Sequence, residues 1–495
     1  MGFGSALIAF AIKRLKEVKF LRGLAVEVKE RFLVVERGKM KKYEDFLASK
    51  AVRAQERGLK TVPALASHLF PFQKLCIDFA LRAGSAGNFL STGLGKTACE
   101  LEWAIHAAES SNGRSLILAP LSVGWQISQE AARWGYDARV IRDQSEAKNG
   151  INICNYDRMD KLDPAAFGAV ALDESSILKS FNGKTSLALI DAFSNHRFRL
   201  SATATPAPND HMELGTQSDF LGVMPSSEML MRWFINDTGT ASQEWRLKKH
   251  AVNDFWDWCA SWSRMAELPS DLGGDDTGFI LPPMKILRHR AEASPIKGAD
   301  LFGMIDMSAT QMHDVKRKTA GNRAKSVADL VTGSPAEPWV IWCDTDYEAD
   351  EIAALLPDAK EVRGSHTPEQ KENSLRSFAD GSVRHIITKP SICGFGLNWQ
   401  HCARTAFVGR TFSYESWYQA VRRFWRFGQA REVEVHLIVA EGEEAIARVI
   451  DRKADDHVIM KTAMRAAMAR ANEKSVTRRA VYSATHKAKV PAWLI

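Results

Sequence analysis

The sequence lacks several features that would assign it to a class at once. No apolar run approaches the roughly 18 residues that a membrane-spanning helix needs, and the short run at residues 6–12 precedes its positive charges, the reverse of a signal peptide. No internal repeat or low-complexity tract is visible. The seven cysteines form no C-x-x-C pair and no Cys/His group at zinc spacing, so we expect reduced core residues. These absences favour a cytoplasmic globular protein that does not bind a membrane.

The net charge of +7 is unevenly distributed. Residues 1–65 hold 15 Lys and Arg against 7 Asp and Glu, and residues 451–495 hold 10 against 4. Basic ends around an acidic middle indicate a polyanionic partner, although solvated helix faces would give the same pattern. At 495 residues the chain is too long for a single core and predicts about three domains.

A glycine-bearing loop with the sequence LSTGLGKT lies between an apolar run and an amphipathic run. Gly93 and Gly95 let the backbone turn its N–H groups toward an anion, and the helix that follows points its positive end there. Lys96 adds a point charge, and Thr97 adds a hydroxyl for a magnesium ion. Leu90 stands where the strict phosphate-loop pattern has glycine, so an ordinary strand-to-helix turn is the alternative.

Two adjacent carboxylates follow a short apolar run. Residues 169–172 predict a buried parallel strand, and Asp173 and Glu174 come at its carboxyl end, where α/β sheets bind ligands. Asp173 can hold magnesium through water, and Glu174 can polarise an attacking water molecule. A helix cap is the alternative, but the phosphate loop upstream favours catalysis.

A further apolar run ends in hydroxylated residues. In residues 199–206, RLSATATP, it leads to Ser201, Thr203 and Thr205. These hydroxyls can couple the state of a bound nucleotide to a neighbouring domain, whereas spacing alone would predict only a turn. Upstream, Gln73 carries an amide that can present a donor and an acceptor to adenine, although a lone glutamine is usually a surface residue.

The segment QAVRRFWRFGQ at residues 419–429 concentrates arginine. Arg423 and Arg426 are three positions apart, so we expect them on one helix face, able to reach one phosphate group together. A guanidinium there would stabilise the charge of the transition state, an effect typically of about 10³ to 10⁵ in rate. Arg422 does not belong to that pair, and we expect its side chain to face solvent or to contact the nucleic-acid backbone. The alternative is a basic helix with no part in catalysis.

Taken in order, STGLGKT, LDESS and LSATATP resemble motifs I, II and III of superfamily 2 helicases and translocases, in particular the Swi/Snf-type helicase-like ATPases of phage or prophage. Residues 419–429 are similar to the family's motif VI, Q-x-x-x-R-x-x-R-x-G-Q. The resemblance covers about residues 69–450 and implies two RecA-like domains that bind ATP and Mg²⁺ in the cleft between them. The further residues that it implies are, for ATP, Gln73, Gly93, Leu94, Gly95, Gly396 and Asn398, and, for nucleic acid, Pro120 and Ser122.

We therefore predict an α/β fold with two tandem RecA-like parallel-sheet domains, helical insertions and basic N- and C-terminal extensions. The predicted bounds are 1–65 for the N-terminal extension, 66–272 for the first domain, 273–450 for the second and 451–495 for the C-terminal tail.

A tryptophan-rich insertion at about residues 222–268 interrupts the first domain. Five of the 14 tryptophans lie there, interleaved with basic residues. Such a mixture can stack on bases while contacting phosphates, which makes Trp245 and Arg246 candidate nucleic-acid contacts. Core packing of a small helical insertion explains the tryptophans equally well.

Together these observations predict an ATP-dependent motor that moves along double-stranded DNA, as a monomer, in the cytoplasm of a bacterium or a phage-infected host. One alternative is a strand-separating helicase on single-stranded DNA or RNA. Another is a DNA-binding scaffold that does not hydrolyse ATP; a missing lysine, glutamate or arginine would indicate it, and none is missing. The sequence leaves open which protein partners the chain has.

Overall fold

The structure is a computed structural model that describes residues 57–120, 123–181, 183–208, 210–237, 244–291, 309–393, 399–409, 413–440 and 444–473. All of these residues belong to one compact unit, Ala54–Arg478. The predictions made for residues 1–56 and 474–495, and for Ser122, Gly396 and Asn398, lie outside the described residues.

The first lobe, residues 57–272, is built on a parallel sheet of seven strands in the order β3-β4-β2-β5-β6-β1-β9. The strands are β1 Ser85–Leu90, β2 Arg114–Ala119, β3 Ala138–Val140, β4 Gly150–Asn155, β5 Ala169–Asp173, β6 Phe198–Ala202 and β9 Ser263–Ala266. The central strands β1, β5 and β6 are buried along their whole length, as expected when helices cover both faces of a parallel sheet. The helices are α1 Pro71–Ala83, α2 Lys96–Glu109, α3 Gly124–Arg133, α4 Lys184–Ala192, α5 Leu214–Leu221, α6 Ser226–Trp233 and α7 Val252–Trp262.

The tryptophan-rich insertion forms part of the core of the first lobe. It comprises α6, an antiparallel hairpin of β7 Phe234–Asp237 and β8 Glu244–Leu247, and α7, and it leads into β9, which pairs with β1. Its buried tryptophans are Trp233, Trp256, Trp258 and Trp262. The ring centroids of Trp233 and Trp258 are 4.7 Å apart, and those of Trp258 and Trp262 are 5.4 Å apart. Core packing is therefore the correct interpretation for these four residues.

The second lobe, residues 284–440, contains a parallel sheet of six strands in the order β10-β15-β14-β11-β13-β12. Its strands are β10 Met284–Ala291, β11 Trp339–Trp342, β12 Lys360–Glu361, β13 His385–Thr388, β14 Arg404–Phe407 and β15 Val433–Ala440. Its helices are α8 Ala309–Thr332, α9 Asp346–Leu355, α10 Pro368–Ala379, α11 Pro390–Cys393 and α12 Tyr414–Val421. The α10 start is a capping box, because Thr367 Oγ1 accepts from the Gln370 N–H at 3.2 Å and Gln370 Oε1 accepts from the Thr367 N–H at 2.9 Å.

After β15 the chain forms α13, Glu444–Glu473, which packs against α7 and β9 of the first lobe. Buried Met460, Met464 and Met468 form its apolar stripe. Ion pairs join Lys461 to Glu267 at 2.7 Å, Arg465 to Asp271 at 2.6 Å and Arg470 to Asp257 at 2.5 Å. The boundary predicted at residue 450 lies inside this helix, so residues 451–473 are packed structure and not a tail.

The predicted fold class, two parallel-sheet RecA-like lobes with helical insertions, is confirmed. The six cysteines whose side chains the structure describes are buried and form no disulfide, as predicted. Among the described helices, none combines the length and the apolar composition needed to cross a bilayer.

Candidate active site

The glycine-bearing loop joins β1 to α2 at the carboxyl edge of the first sheet. Gly93 and Gly95 have φ values of 97° and 76°, a region that favours glycine. Lys96 Nζ donates to the Leu90 carbonyl at 3.1 Å, so the lysine folds back over the loop. Leu90 is the last residue of β1 and is fully buried, which accounts for an apolar residue where the strict pattern has glycine. No described side chain caps the start of α2, and its first N–H groups can serve an anion.

Gln73 braces this loop from α1. Its side chain is buried; Nε2 donates to the Leu94 carbonyl at 2.9 Å, and Oε1 accepts from the Phe70 N–H at 2.9 Å. The amide therefore connects the start of α1 to the phosphate loop. Its reading of adenine stays a prediction.

Three carboxyl groups meet beside Lys96. Burial, reinforced by the Glu174 charge, raises the pKa of Asp173 to about 7, although Lys96 acts in the opposite direction. Glu100 lies one helical turn after Lys96 and is fully buried. Burial and then the Asp173 charge raise the pKa of Glu100 well above its ordinary value. Tyr156 Oη donates to the Asp173 carbonyl at 2.8 Å.

This acidic group fits a divalent cation. Buried carboxylates repel one another, and a cation beside Asp173 would remove the repulsion. No three His, Cys, Asp or Glu side chains of the described residues are spaced to hold a metal by themselves. Mg²⁺ does not need three protein ligands, because it usually keeps several waters and binds through one or two carboxylates together with substrate phosphates.

Glu174 adopts an unusual backbone conformation. Its φ of 53° is the single positive value among the described residues other than glycine. Such a conformation costs about 1–3 kcal/mol and persists when neighbours enforce it. Thr203 Oγ1 donates to Glu174 Oε2 at 3.2 Å, and the Thr205 N–H donates to Thr203 Oγ1 at 3.1 Å. Of the three predicted coupling residues, Thr203 thus contacts the catalytic candidate directly, and Thr205 is connected to it through Thr203.

Ser201 connects to the same region through Gln217. The Ser201 hydroxyl donates to Gln217 Oε1, and Gln217 Nε2 donates to the Ser175 carbonyl at 2.9 Å. The end of β6 is therefore hydrogen-bonded to the segment that follows Glu174. The sequence did not single out Gln217.

The second lobe reaches the same carboxylate through α12. Gln419 Nε2 donates to Glu174 Oε2 at 3.4 Å, and Arg423 Nη2 donates to Gln419 Oε1 at 3.4 Å. Nearby, Lys179 forms an ion pair with the buried Glu415. Glu174 is therefore in contact with residues from both lobes.

The expected helical arrangement of Arg423 and Arg426 is wrong, because α12 ends at Val421 and both arginines lie in the turns beyond it. The helix ends where Phe424 enters the core of the second lobe, and a further turn at Gly428 has a φ of 90°. Arg423 still reaches the Glu174 network through Gln419. Arg426 lies within electrostatic reach of Glu130 on α3.

Arg422 is 8% exposed, which does not fit the solvent or nucleic-acid position expected for it. Its guanidinium lies 5.1 Å from the ring centroid of Tyr418 and 4.4 Å from that of Trp425. Stacking on these rings draws the side chain inward. The other candidate nucleic-acid contacts are Pro120, half-buried directly after β2, and, on β8, Trp245, half-buried, and Arg246, exposed.

Two residues that sequence reasoning missed also contribute to the site. Glu100 is four positions after Lys96, a helical spacing that places both on one face, so this signal was present. Tyr418 lies on α12 and has a hydrogen bond with Ser91 of the loop. Burial acts to raise the pKa of Tyr418, but Arg422 and the hydrogen bond from Ser91, among other groups, lower it to about 8. No sequence signal indicated Tyr418.

No family model matches the chain. Over 164 residues, 31% of this chain, it is 30% identical to the SWI/SNF-related matrix-associated actin-dependent regulator of chromatin subfamily A-like protein 1 of Xenopus tropicalis. It is 29% identical over 164 residues to the protein of that name from Xenopus laevis. The sequence resemblance to Swi/Snf-type proteins of superfamily 2 is confirmed. The chain spans 17% of the length of these Swi/Snf-type relatives.

A solved structure is also similar, the Sulfolobus solfataricus SWI2/SNF2 ATPase core in complex with dsDNA. The likeness has a TM-score of 0.38 and 16% sequence identity, and it covers 83% of this chain and 96% of that chain. A phage or prophage source of the chain stays a prediction.

Proposed function

We propose that this chain is a DNA-dependent ATPase that hydrolyses ATP between its two lobes and moves along double-stranded DNA. The observation that carries the proposal is that Glu174 receives hydrogen bonds from Thr203 of the first lobe and Gln419 of the second. A catalytic carboxylate held from both sides makes hydrolysis depend on how the lobes meet. The choice of double-stranded DNA rests on the Swi/Snf resemblance.

In the proposed reaction, Lys96 and the amides of the loop hold the β- and γ-phosphates, and Glu174 orients and polarises the attacking water. Arg423 and Arg426 stabilise the charge of the transferring phosphoryl group from the second lobe. Thr97 and Asp173 would hold magnesium.

Magnesium, when bound, would supply neutralising charge on the phosphates. Movement of the lobes during the cycle would move the DNA by one step. Contacts to phosphates would make binding tolerant of sequence and steeply dependent on salt. We propose a monomeric motor that works in the cytoplasm.

The test compares ATPase rates of the full chain with duplex DNA, single-stranded DNA and RNA of equal length. We expect the strongest stimulation by duplex DNA, together with displacement of a third strand from a DNA triplex. The Lys96→Ala variant should lose the stimulated rate. Stimulation by RNA alone would instead indicate a strand-separating helicase, and equal rates for wild type and Lys96→Ala would indicate a scaffold.

A further inference from the structure

A buried polar junction of Ser91, Tyr418, Lys461 and Glu267 connects helix α13 to the phosphate loop. The Tyr418 hydroxyl on α12 accepts a hydrogen bond from Ser91, which directly follows β1. It also accepts one from Lys461 Nζ of α13 at 3.4 Å, and Lys461 Nζ donates to Glu267 Oε1 at 2.7 Å. Ser91, Tyr418 and Lys461 are between 5% and 6% exposed. These side chains therefore depend on one another for hydrogen bonds more than on solvent.

The contacts form a ring that begins and ends at the loop. The Ser91 N–H donates to the carbonyl of Ala266 at 2.9 Å, and Ala266 ends β9 and directly precedes Glu267. The main chain of Ser91 is thus held by the strand end and its side chain by Tyr418. The Leu94 N–H in turn donates to the Ser91 carbonyl at 3.2 Å. The position of Ser91 consequently helps to set the turn in which the loop glycines lie.

The ring of Tyr418 is also fixed. Lys461 Nζ lies 5.2 Å from the ring centroid, and the Arg422 guanidinium lies 5.1 Å from it. Tyr418 further packs in a buried cluster with Tyr414 and with Ala204, which lies just beyond β6. Because both the ring and the hydroxyl are held, a displacement of Lys461 would be transmitted to Ser91 and not absorbed by rotation of Tyr418.

Lys461 is an unexpected residue for the packed face of α13. Its neighbours on that face, Met460 and Met464, are apolar and fully buried, and a buried amine is costly unless it is paired. The Arg470–Asp257 pair, by contrast, joins the same helix to the first lobe with side chains that are 35% and 41% exposed. Packing of α13 alone does not explain a lysine at position 461, whereas its contact with Tyr418 does.

We propose that Tyr418 is a positioning residue for the phosphate loop, and that Lys461, through Tyr418, makes the nucleotide affinity of the loop depend on the docking of α13 on the first lobe. The inference rests on the proposed function in that the loop binds the phosphates of a nucleotide. Two adjacent residues of α12 then serve different parts of one site, since Tyr418 acts on the loop and Gln419 on Glu174. An interaction that draws α13 away from the first lobe would weaken nucleotide binding.

The experiment measures binding of ADP and of inorganic tripolyphosphate, each with Mg²⁺, to the full chain by calorimetry. Tyr418→Phe keeps the ring and removes the hydroxyl, and Lys461→Met keeps a long side chain and removes the amine. We expect each variant to bind both ligands about 3- to 10-fold more weakly, the scale of one hydrogen bond. The losses should be equal for the two ligands, because the loop contacts phosphates and not the base.

The double variant tests whether the two residues belong to one connection. Tyr418→Phe combined with Lys461→Met should bind no more weakly than the weaker of the single variants, because either substitution alone breaks the contact between α13 and Ser91. Thermal unfolding curves confirm that each variant is folded at the temperature of the binding measurement.

Arg470→Met is the matched control. Arg470 is also a cation of α13 that pairs with the first lobe, but it lies nine positions beyond Lys461, about two and a half helical turns along α13. Its pair with Asp257 is partly exposed, and exposed ion pairs contribute little. Both affinities of this variant should stay within about 2-fold of the wild type.

Steady-state kinetics separates Tyr418 from its neighbour on α12. In DNA-stimulated hydrolysis, Tyr418→Phe should raise KM for ATP by about 3- to 10-fold with little change in kcat, the pattern of lost binding that is the same in the ground state and the transition state. Substitution of Gln419, which contacts Glu174, should instead lower kcat. A fall in kcat at unchanged KM in Tyr418→Phe would contradict a role in positioning the loop.

Several binding results would overturn the proposal. Unchanged affinity in either single variant would show that the loop does not depend on the polar junction. Equal weakening in Arg470→Met and Lys461→Met would assign the effect to the docking of α13 in general. Losses that multiply in the double variant would show that Tyr418 and Lys461 act independently, and weakening of ADP alone would place the effect outside the loop. Weaker binding in both variants, in a chain whose hydrolysis DNA does not stimulate, would overturn the proposed function and leave this inference standing.

Discussion

At the scale of single residues, Glu174 shows which contacts fix the carboxylate of the candidate active site. Its left-handed backbone is strained, and its side chain accepts hydrogen bonds from Thr203 and Gln419. A strained backbone conformation of this kind persists where several contacts with the surrounding structure enforce it. Here the two hydrogen bonds come from different lobes, so the carboxylate has its full set of contacts when the lobes meet as they do in this structure.

The first prediction concerns Gln419, which bonds to Glu174 and to Arg423. Gln419→Ala should lower kcat for DNA-stimulated hydrolysis by about 10-fold with little change in KM. The substitution would misplace Glu174, the proposed general base, and leave the phosphate loop unchanged. Steady-state kinetics over a range of ATP concentrations measures both. Gln126→Ala is the control, because the Gln126 amide on α3 donates to Glu130 one turn along the same helix, at 3.2 Å. A rise in KM alone would contradict the positioning role.

The second prediction concerns pH and Glu100. The pKa of this carboxyl is raised in the folded protein by burial and Asp173, so the folded state holds its proton to a higher pH than the unfolded chain does. Stability should therefore fall as pH rises above the ordinary pKa of glutamate, about 4.3. Glu100→Gln removes this dependence. We expect the variant to match the wild type near pH 5 and to be more stable than the wild type at pH 8.

Thermal unfolding of the nucleotide-free protein at both pH values measures this difference. A Glu100→Gln variant that is less stable than the wild type at both pH values would mean that the Glu100 carboxylate makes stabilising contacts. In that case the burial of the Glu100 carboxylate would not destabilise the folded protein.

At the scale of elements, α13 is the helix whose position the chain order predicts least well. It follows the last strand of the second sheet, yet it packs on α7 and β9 of the first lobe. Methionines fill the interface and ion pairs flank it. The two lobes are therefore joined by a packed helix in addition to the covalent linker before β10.

The third prediction tests that packing. Met464 is fully buried on α13, so Met464→Ala should destabilise the protein by about 2–5 kcal/mol through lost burial and the cavity left behind. Val458→Ala is the control on the same helix, since Val458 is 60% exposed and its loss should cost less than about 0.5 kcal/mol. Urea unfolding curves give both values. Equal effects of the two substitutions would show that α13 does not pack on the first lobe in solution.

At the scale of the whole molecule, the carboxyl edges of the two sheets meet through the segment after Glu174 and helix α12. The Lys179–Glu415 ion pair lies at this junction, with Glu415 almost completely buried. A buried carboxylate without its cation is costly, so the pair favours the arrangement in which the lobes are in contact.

The fourth prediction is a charge exchange at this pair. Lys179→Glu and Glu415→Lys should each lower the DNA-stimulated ATPase rate by about 10-fold, because like charges then meet between the lobes. The double variant should recover most of the rate, with a coupling energy on the order of 1–3 kcal/mol. A double-mutant cycle on kcat measures it. Additive losses in the double variant would show that the two residues do not act on each other during turnover.

Much of the fold follows from local patterns. The continuous apolar run at residues 169–172 predicted a buried parallel strand, and β5 is that strand. The loop glycines follow β1, and the two carboxylates lie at the end of β5, as expected. These positions are predictable because backbone conformation and the alternation of strand and helix depend on neighbours in sequence. The arginines of the segment 419–429 were found in the same way, but their helical geometry was not correct.

What the sequence by itself determined, then, is the set of helices and strands and the types of residue at the carboxyl end of each strand. What only the tertiary structure decided is which distant side chains meet there: Gln419 and Thr203 on Glu174, Glu100 beside Asp173, and Phe427 against Gly93. These contacts depend on how two sheets and a returning helix pack, and packing is set by burial of surfaces far apart in the chain. Local periodicity in the sequence therefore does not predict these contacts.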